Sequence, residues 1–138
     1  MPQDDARITA LMNASNDLAE LGQFAEAIAL AEQAWPLVGL KDRSNGMFVW
    51  VIESLIHDNF AAQRWDEAAN WAQTLIAHKQ PGDLASGDYL WLGKIQFEQG
   101  LHDLAYGRFD QAFRESKAAF QGEDKKYKSF YQQEKARR

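Results

Sequence analysis

Three stretches of the chain carry the same small and aromatic residues at the same offsets. The clearest holds Tyr89, Leu92, Gly93, Gly100, Ala105, Phe109 and Ala112. Aligned on Ala105, a second holds Ile52, Leu55, Trp65, Ala68 and Ala72, and a first holds Leu11, Gly22, Phe24, Ala27, Ala31 and Ala34. The equivalent alanines Ala27, Ala68 and Ala105 lie 41 and then 37 residues apart. A period of this length marks a stack of helical hairpins, because one hairpin cannot bury its own apolar face and must lean on a neighbour. The expected fold is therefore all-α, an α-α superhelix of three helix-turn-helix pairs with a C-terminal capping helix. The same pattern narrows function, since such arrays work mainly by offering a surface to another molecule.

Apolar residues recur at spacings of three and four almost throughout, and no stretch alternates like a strand. The first helix is expected from about Asp4 to Leu21, with Ile8, Leu11, Leu18 and Leu21 on its apolar stripe. Gly22 and Gln23 turn the chain into a second helix, about Phe24 to Leu37. Residues 38–45, with Gly39, Asp42 and Ser44, read as a loop. A third helix follows at about Gly46 to Gln63 and a fourth at about Asp66 to Lys79. Pro81-Gly82-Asp83 breaks the chain. Ser86 is expected to N-cap a fifth helix ending near Gln99, with Gly100 as its stop. The sixth runs from about Leu101 to Ala119, and a last, basic helix from about Asp124 to Ala136. This order predicts a single domain over 1–138, with repeats at about 4–38, 46–79 and 86–119 and a terminal helix at about 124–136. On that last helix Tyr127, Phe130 and Tyr131 can pack inward, leaving a polar face of lysines and glutamines to water.

With 138 residues, 46% of them hydrophobic and 12% aromatic, the chain can build a core and is no disordered tail. It has no cysteine, which removes disulfides, thiolate metal sites and cysteine nucleophiles together and fits a reducing compartment. The acidic start, Met-Pro-Gln-Asp-Asp, lacks the positive-then-apolar order of a secretion signal. No apolar run approaches the ~18 residues of a membrane span. A soluble, cytoplasmic protein is expected. The net charge is −5, unevenly spread: residues 1–120 carry 17 acidic against 9 basic groups, while 121–138 are net positive. An acidic body repels phosphate backbones, which argues against nucleic acid and favours a basic protein partner. Solubility alone would also account for it.

In register, the three copies resemble the tetratricopeptide repeat, a helix-turn-helix unit whose hallmark is Trp, Leu-Gly and Tyr in helix A, then Gly, aromatic, Ala, aromatic and Ala across the turn and helix B. The third copy matches best, through Tyr89, Leu92-Gly93, Gly100, Ala105, Phe109 and Ala112, with His102 replacing one aromatic. The first puts Ala14-Ser15 at the Leu-Gly slot; the second has Gln63 for the turn glycine and Leu75 for the last alanine. Small residues at these slots let the two helices approach closely. The run from Phe120 to Phe130 is in turn similar to the tail of small bacterial tetratricopeptide proteins, some encoded beside polymorphic toxins as their immunity proteins. A break followed by a capping helix accounts for the same residues without any function.

Catalysis finds little support. His57, His78 and His102 have no partner at metal-binding spacing, and phosphate loops and GxSxG elbows are absent. Acidic pairs such as Asp66-Glu67 sit at helix starts, where the helix dipole accounts for them. No enzyme activity, cofactor or metal is expected. The family resemblance implies that helix A of each pair lines a concave face whose non-hallmark positions meet the partner. Those positions hold Met12, Asn13, Asn16 and Glu20, then Trp50, Glu53, Ser54, His57 and Ala61, then Leu90, Trp91, Lys94, Phe97 and Glu98. The partner-binding set expected on this reading is Met12, Asn16, Trp50, Glu53, His57, Leu90, Trp91, Lys94 and Phe97, with Trp50, Trp91 and Phe97 as anchors. Alternatively, Trp91 and Phe97 pack between repeats or under the terminal helix. A co-chaperone role is disfavoured, because Met12, Gly87 and Trp91 stand where basic clamp residues would grip an acidic peptide end. The expected partner is another protein, with a basic toxin domain as the specific version and a structural or self-associating adaptor as the alternative. Neither nucleic acid nor membrane is expected, and the oligomeric state is open.

Overall fold

The computed structural model describes residues 2–39 and 45–138. Among them every regular element is helical: α1 (Pro2–Glu20), α2 (Phe24–Ala34), a 3-10 turn (Trp35–Leu37), α3 (Gly46–Ala61), α4 (Trp65–Ala77), α5 (Ser86–Glu98), α6 (His102–Glu115) and α7 (Lys125–Arg137). The all-α class is thus the one adopted. Of the loop expected over 38–45, residues 40–44 lie outside the described residues. Where the repeat pattern predicts one domain, the chain divides into two compact units, Met1–Gln80 and Pro81–Arg138. In the first, α1 pairs with α2, α3 with α4, and α2 packs on α3; in the second, α5 pairs with α6 and α7 packs on α6.

The three hairpins turn in the same way. Each first helix ends two positions before a left-handed residue: Gly22 (φ 77), Gln63 (φ 60) and Gly100 (φ 79). The left-handed residue donates its N–H to the carbonyl three positions back, on Ala19, Phe60 and Phe97 respectively, at 2.9–3.0 Å. The next residue donates five positions back, Gln23 to Leu18, Arg64 to Asn59 and Leu101 to Gln96, at 2.8–2.9 Å. These are the two bonds of a Schellman cap, which satisfies helix-end carbonyls and reverses the chain. The second helix then starts at once. Its N-cap residues have nearly one conformation, with φ/ψ of −90/68 at Gln23, −91/74 at Arg64 and −89/70 at Leu101. Their carbonyls accept from Ala27, Ala68 and Ala105, the alanines on which the sequence aligns.

Close helix approach is achieved differently in each pair. A Cβ on Gly93 would lie 2.7 Å from Cδ1 and Cε1 of Phe109, so here a large ring on α6 fills the space left by a missing side chain on α5. The equivalent positions hold Ile56 with Ala72 in the second pair and Ser15 with Ala31 in the first. Buried Ser15 satisfies its hydroxyl by donating to the Ala27 carbonyl at 2.8 Å, across the hairpin. Gly93–Phe109 and Ile56–Ala72 fill a similar volume with its owner exchanged, whereas the Ser15–Ala31 pair is smaller.

Three expected boundaries move, each for a local reason. Helix α2 stops at Ala34, because Pro36 lacks an N–H and its ring opposes an α-helical turn, leaving a 3-10 turn over Trp35–Leu37. Ser86 is not the N-cap of α5 but its first residue, and Ala85 precedes it without a side-chain cap of its own. The cap is distant: the Glu115 carboxylate accepts from the N–H groups of Ala85 and Ser86, the latter at 2.8 Å. An anion there also faces the positive end of the helix dipole. Finally, α6 ends at Glu115 rather than Ala119, since Ser116 is extended (φ −147, ψ 115). The chain folds back there to bury Phe120 against Phe109 and Tyr131, at ring separations of 5.3 and 5.6 Å.

One residue in α6 has no such reason. Gly107 lies mid-helix and exposed, and a Cβ there would meet nothing within 4 Å. Relative to alanine it weakens the helix by about 1 kcal/mol.

Two substitutions test the hairpin geometry. Gln63→Gly relieves a left-handed non-glycine residue and is expected to raise stability by about 0.5–1 kcal/mol in denaturant melts. Gly93→Ala forces a methyl into the Phe109 ring and is expected to lower stability by about 1–3 kcal/mol. An unchanged midpoint for Gly93→Ala would show that α5 and α6 are not held in close contact at this point.

Candidate interaction surface

In the first unit, α1 turns Ile8, Met12 and Ser15 into the core, where all three are buried. Met12 is therefore corrected from surface to interior; it lies on the buried stripe that the three- and four-residue spacing from Ile8 defines. Asn16, one position on from that stripe, is exposed.

Helix α3 is different. Its core side carries Phe48, Val51, Ile52, Leu55, Ile56 and Asn59, all buried. Trp50, Glu53 and His57 fall on the opposite side, one helical turn after another. Glu53 and His57 are exposed and Trp50 is partly exposed. Of the other Phe and Trp rings of this unit, all but Phe24 are in ring contacts: Trp35 with Phe48 (5.4 Å) and Trp71 (5.1 Å), Phe48 with His78 (5.2 Å), and Phe60 with Trp65 (5.1 Å). The Trp50 side chain has neither a ring contact nor a hydrogen bond among the described residues. Its indole N–H is thus a polar group without a partner among the described residues, on a ring that the chain covers only in part.

Asp58, on the same helix, is a feature that the repeat pattern does not single out. It is 8% exposed, and no hydrogen bond or ion pair reaches its carboxyl among the described residues. Desolvation by burial pushes that carboxyl up to about 6 from 3.8. The signal for it is in the spacing: Val51, Leu55 and Asp58 continue one stripe, so an acid occupies a position that the period reserves for an apolar residue. The neighbouring Asn59 donates to the Leu55 carbonyl at 2.7 Å but leaves its Oδ1 without a partner. The unit as a whole is acidic: residues 1–80 hold eleven acidic and five basic groups, a net of −6, while 81–138 hold nine and ten, a net of +1.

The second unit absorbs the residues expected to face a partner there. No residue of α5 between Asp88 and Gln99 is exposed. Leu90 and Lys94 are buried. Lys94 places its Nζ 2.7 Å from Glu123 Oε1 and 3.7 Å above the Trp91 ring, so both the cation and the indole are occupied within the unit. Phe97 packs against His102 (5.5 Å), Tyr127 (5.4 Å) and Phe130 (5.1 Å). Leu90 and Lys94 are therefore corrected from surface to interior, Phe97 to a partly exposed ring held among three others, and Trp91 to a ring roofed by an ammonium group. The cause is α7. Tyr127 donates its hydroxyl to Glu98 at 2.9 Å and Tyr131 to Asp110 at 2.7 Å, fastening the helix down; burial, reinforced by these bonds, holds both phenols above their usual range. Tyr127, Phe130 and Tyr131 pack inward as their spacing predicts.

Among the described residues no three His, Cys, Asp or Glu side chains gather as a metal site. No described helix is long and apolar enough to cross a membrane. Compared with family models, with curated proteins and with solved structures, the chain matches none of them.

The Asp58 geometry predicts a pH signature. Its folded-state pKa lies above its unfolded value, so ionising it opposes folding. Its protonated form is fully present below about pH 4, and stability falls as pH rises from there through about 6. Asp58→Asn should therefore melt higher than wild type at pH 7.5, with the difference shrinking towards pH 4. A gap independent of pH would place the carboxylate in water.

Proposed function

We propose that the chain is a non-catalytic protein-binding module that engages its partner through the outward side of α3, with Trp50 as the anchor. The observation that carries this reading is the indole itself: partly exposed, without a ring or hydrogen-bond partner among the described residues, and bordered by Glu53 and His57 on the same helical side. Buried by a partner, such a ring contributes ~2 kcal/mol or more. The net charge of −6 on residues 1–80 favours a partner with a basic surface and would speed its approach. The three matching hairpin turns support the resemblance to tetratricopeptide repeats, whose arrays bind proteins.

The narrower reading is an immunity protein that neutralises a bacterial toxin by direct binding in the cytoplasm. It rests on the resemblance of residues 120–130 alone, and those residues also have a packing role in covering α5 and α6. A structural or regulatory adaptor is the alternative. A toxin gene adjacent to this one, with a product that the chain inactivates on mixing, supports immunity; a partner that keeps full activity when bound supports the adaptor.

The test of the surface uses the partner recovered by affinity capture with the full chain. Trp50→Ala is expected to weaken its binding by about 30-fold, with far-UV circular dichroism unchanged. Binding should also weaken as salt rises. Trp91→Ala is expected to act chiefly on stability, through the lost contact with Lys94. Wild-type affinity in Trp50→Ala would rule out α3 as the binding side.

A further inference from the structure

The outward side of α6 has the makings of a self-complementary contact. Leu101 and Leu104, three residues apart, are exposed at 44% and 55%. A shallow depression of about 370 Å³ lies at Leu104, lined by Asp103, Leu104, Gly107, Arg108 and Gln111. Gly107, the helix-weakening residue in this lining, is required by nothing within the chain, since a Cβ there would touch no atom within 4 Å. A missing side chain on an exposed helix side leaves room for a helix to approach closely from outside.

The order of the charges says what approaches. Across a two-fold axis, antiparallel copies of one helix pair residues whose numbers have a constant sum. The pairing that sets Leu104 of one copy over Gly107 of the other also sets Asp103 opposite Arg108, because 104 and 107 have the same sum as 103 and 108. One register thus places a knob in a notch and an anion beside a cation, twice each. Neither charge is exhausted within the chain. Asp103 accepts from Arg138 at 2.9 Å but keeps its side chain 95% exposed, and Arg108 uses one nitrogen on Gln111 at 3.1 Å.

The geometry points to an isologous antiparallel dimer in which α6 packs on α6 of a second copy, Leu104 seated over Gly107 and Asp103 paired with Arg108. One helix side buries little area, so the dimer is a weak one, forming at roughly tens to hundreds of micromolar. It does not depend on how α3 is used.

Sedimentation velocity of the full chain, from about 10 µM to about 1 mM, measures it over the range where contacts of this size associate. Wild type is expected to pass from monomer to dimer with concentration. Asp103→Arg and Arg108→Asp should each weaken association by about tenfold, through two like-charge pairs, and the double exchange should restore it. Gly107→Leu should raise Tm while abolishing the dimer, which separates the contact from the stability of the helix. The inference is overturned by a wild type that stays monomeric throughout, by a double exchange that associates no better than the single variants, or by a Gly107→Leu chain that dimerises normally.

Discussion

A helical hairpin of this kind closes only where the chain can reverse within two residues, and that reversal requires one residue in the left-handed region. Everything else in this molecule depends on that constraint being met three times. Gly22, Gln63 and Gly100 meet it with the same pair of backbone bonds and the same following conformation. Because the turns agree, the residues that follow fall in register, and Ala27, Ala68 and Ala105 arrive where the second helix lies against the first, each fully buried. Glutamine at the second turn shows that the geometry, not the glycine, is what the fold requires. An L-residue adopts it at a cost of about 1–2 kcal/mol, which the packing of α3 on α4 and α2 offsets.

Once the turns are fixed, the interior is settled by how each pair divides its volume. The third pair is the extreme case, with no side chain at Gly93 and a phenyl ring at Phe109. That ring then becomes a platform: Phe120, Tyr127 and Phe130 gather on it at 5.3, 5.9 and 6.2 Å. Edge-to-face and tilted ring contacts of this kind are directional as well as apolar, so they fix the orientation of α7 as well as its presence. The two phenol hydroxyls that end on Glu98 and Asp110 complete the attachment. A terminal helix that is mostly polar is thereby held by a few rings and a few carboxylates.

The helices, the turns and the inward residues of α7 are legible in the sequence, because all of these follow from periodicity and local backbone preference. Less of the surface is legible, because exposure depends on what other elements cover. Met12 is the simplest case: its spacing from Ile8 places it on the buried stripe, and the repeat register points the other way. Lys94 cannot be placed by such a pattern. Its burial follows from Glu123 and Trp91, 29 residues downstream and three upstream, and nothing local says that a lysine will end between an anion and an indole. The expected Ser86 cap fails for the same reason, since Glu115 performs that task from the far end of the next helix.

The two units differ in how completely they use their own chemistry. In the second, most strong groups have an internal partner: Lys94 with Glu123, Lys126 with Glu98, Arg114 with Asp110, Arg138 with Asp103. Glu98 itself answers both Lys126 and Tyr127, and its hydrogen bond holds the lysine ammonium above its ordinary range. The first unit leaves an indole and a buried carboxyl group on one helix without any such answer among the described residues. Burial raises the Asp58 pKa, so its ionised form opposes folding and stability does not account for it. Selection for stability alone would have replaced Asp58 with an apolar residue, as its place on the stripe of Val51 and Leu55 invites. On the proposed use of α3 as the binding side, a group that stability does not explain lies on the helix that would meet the partner.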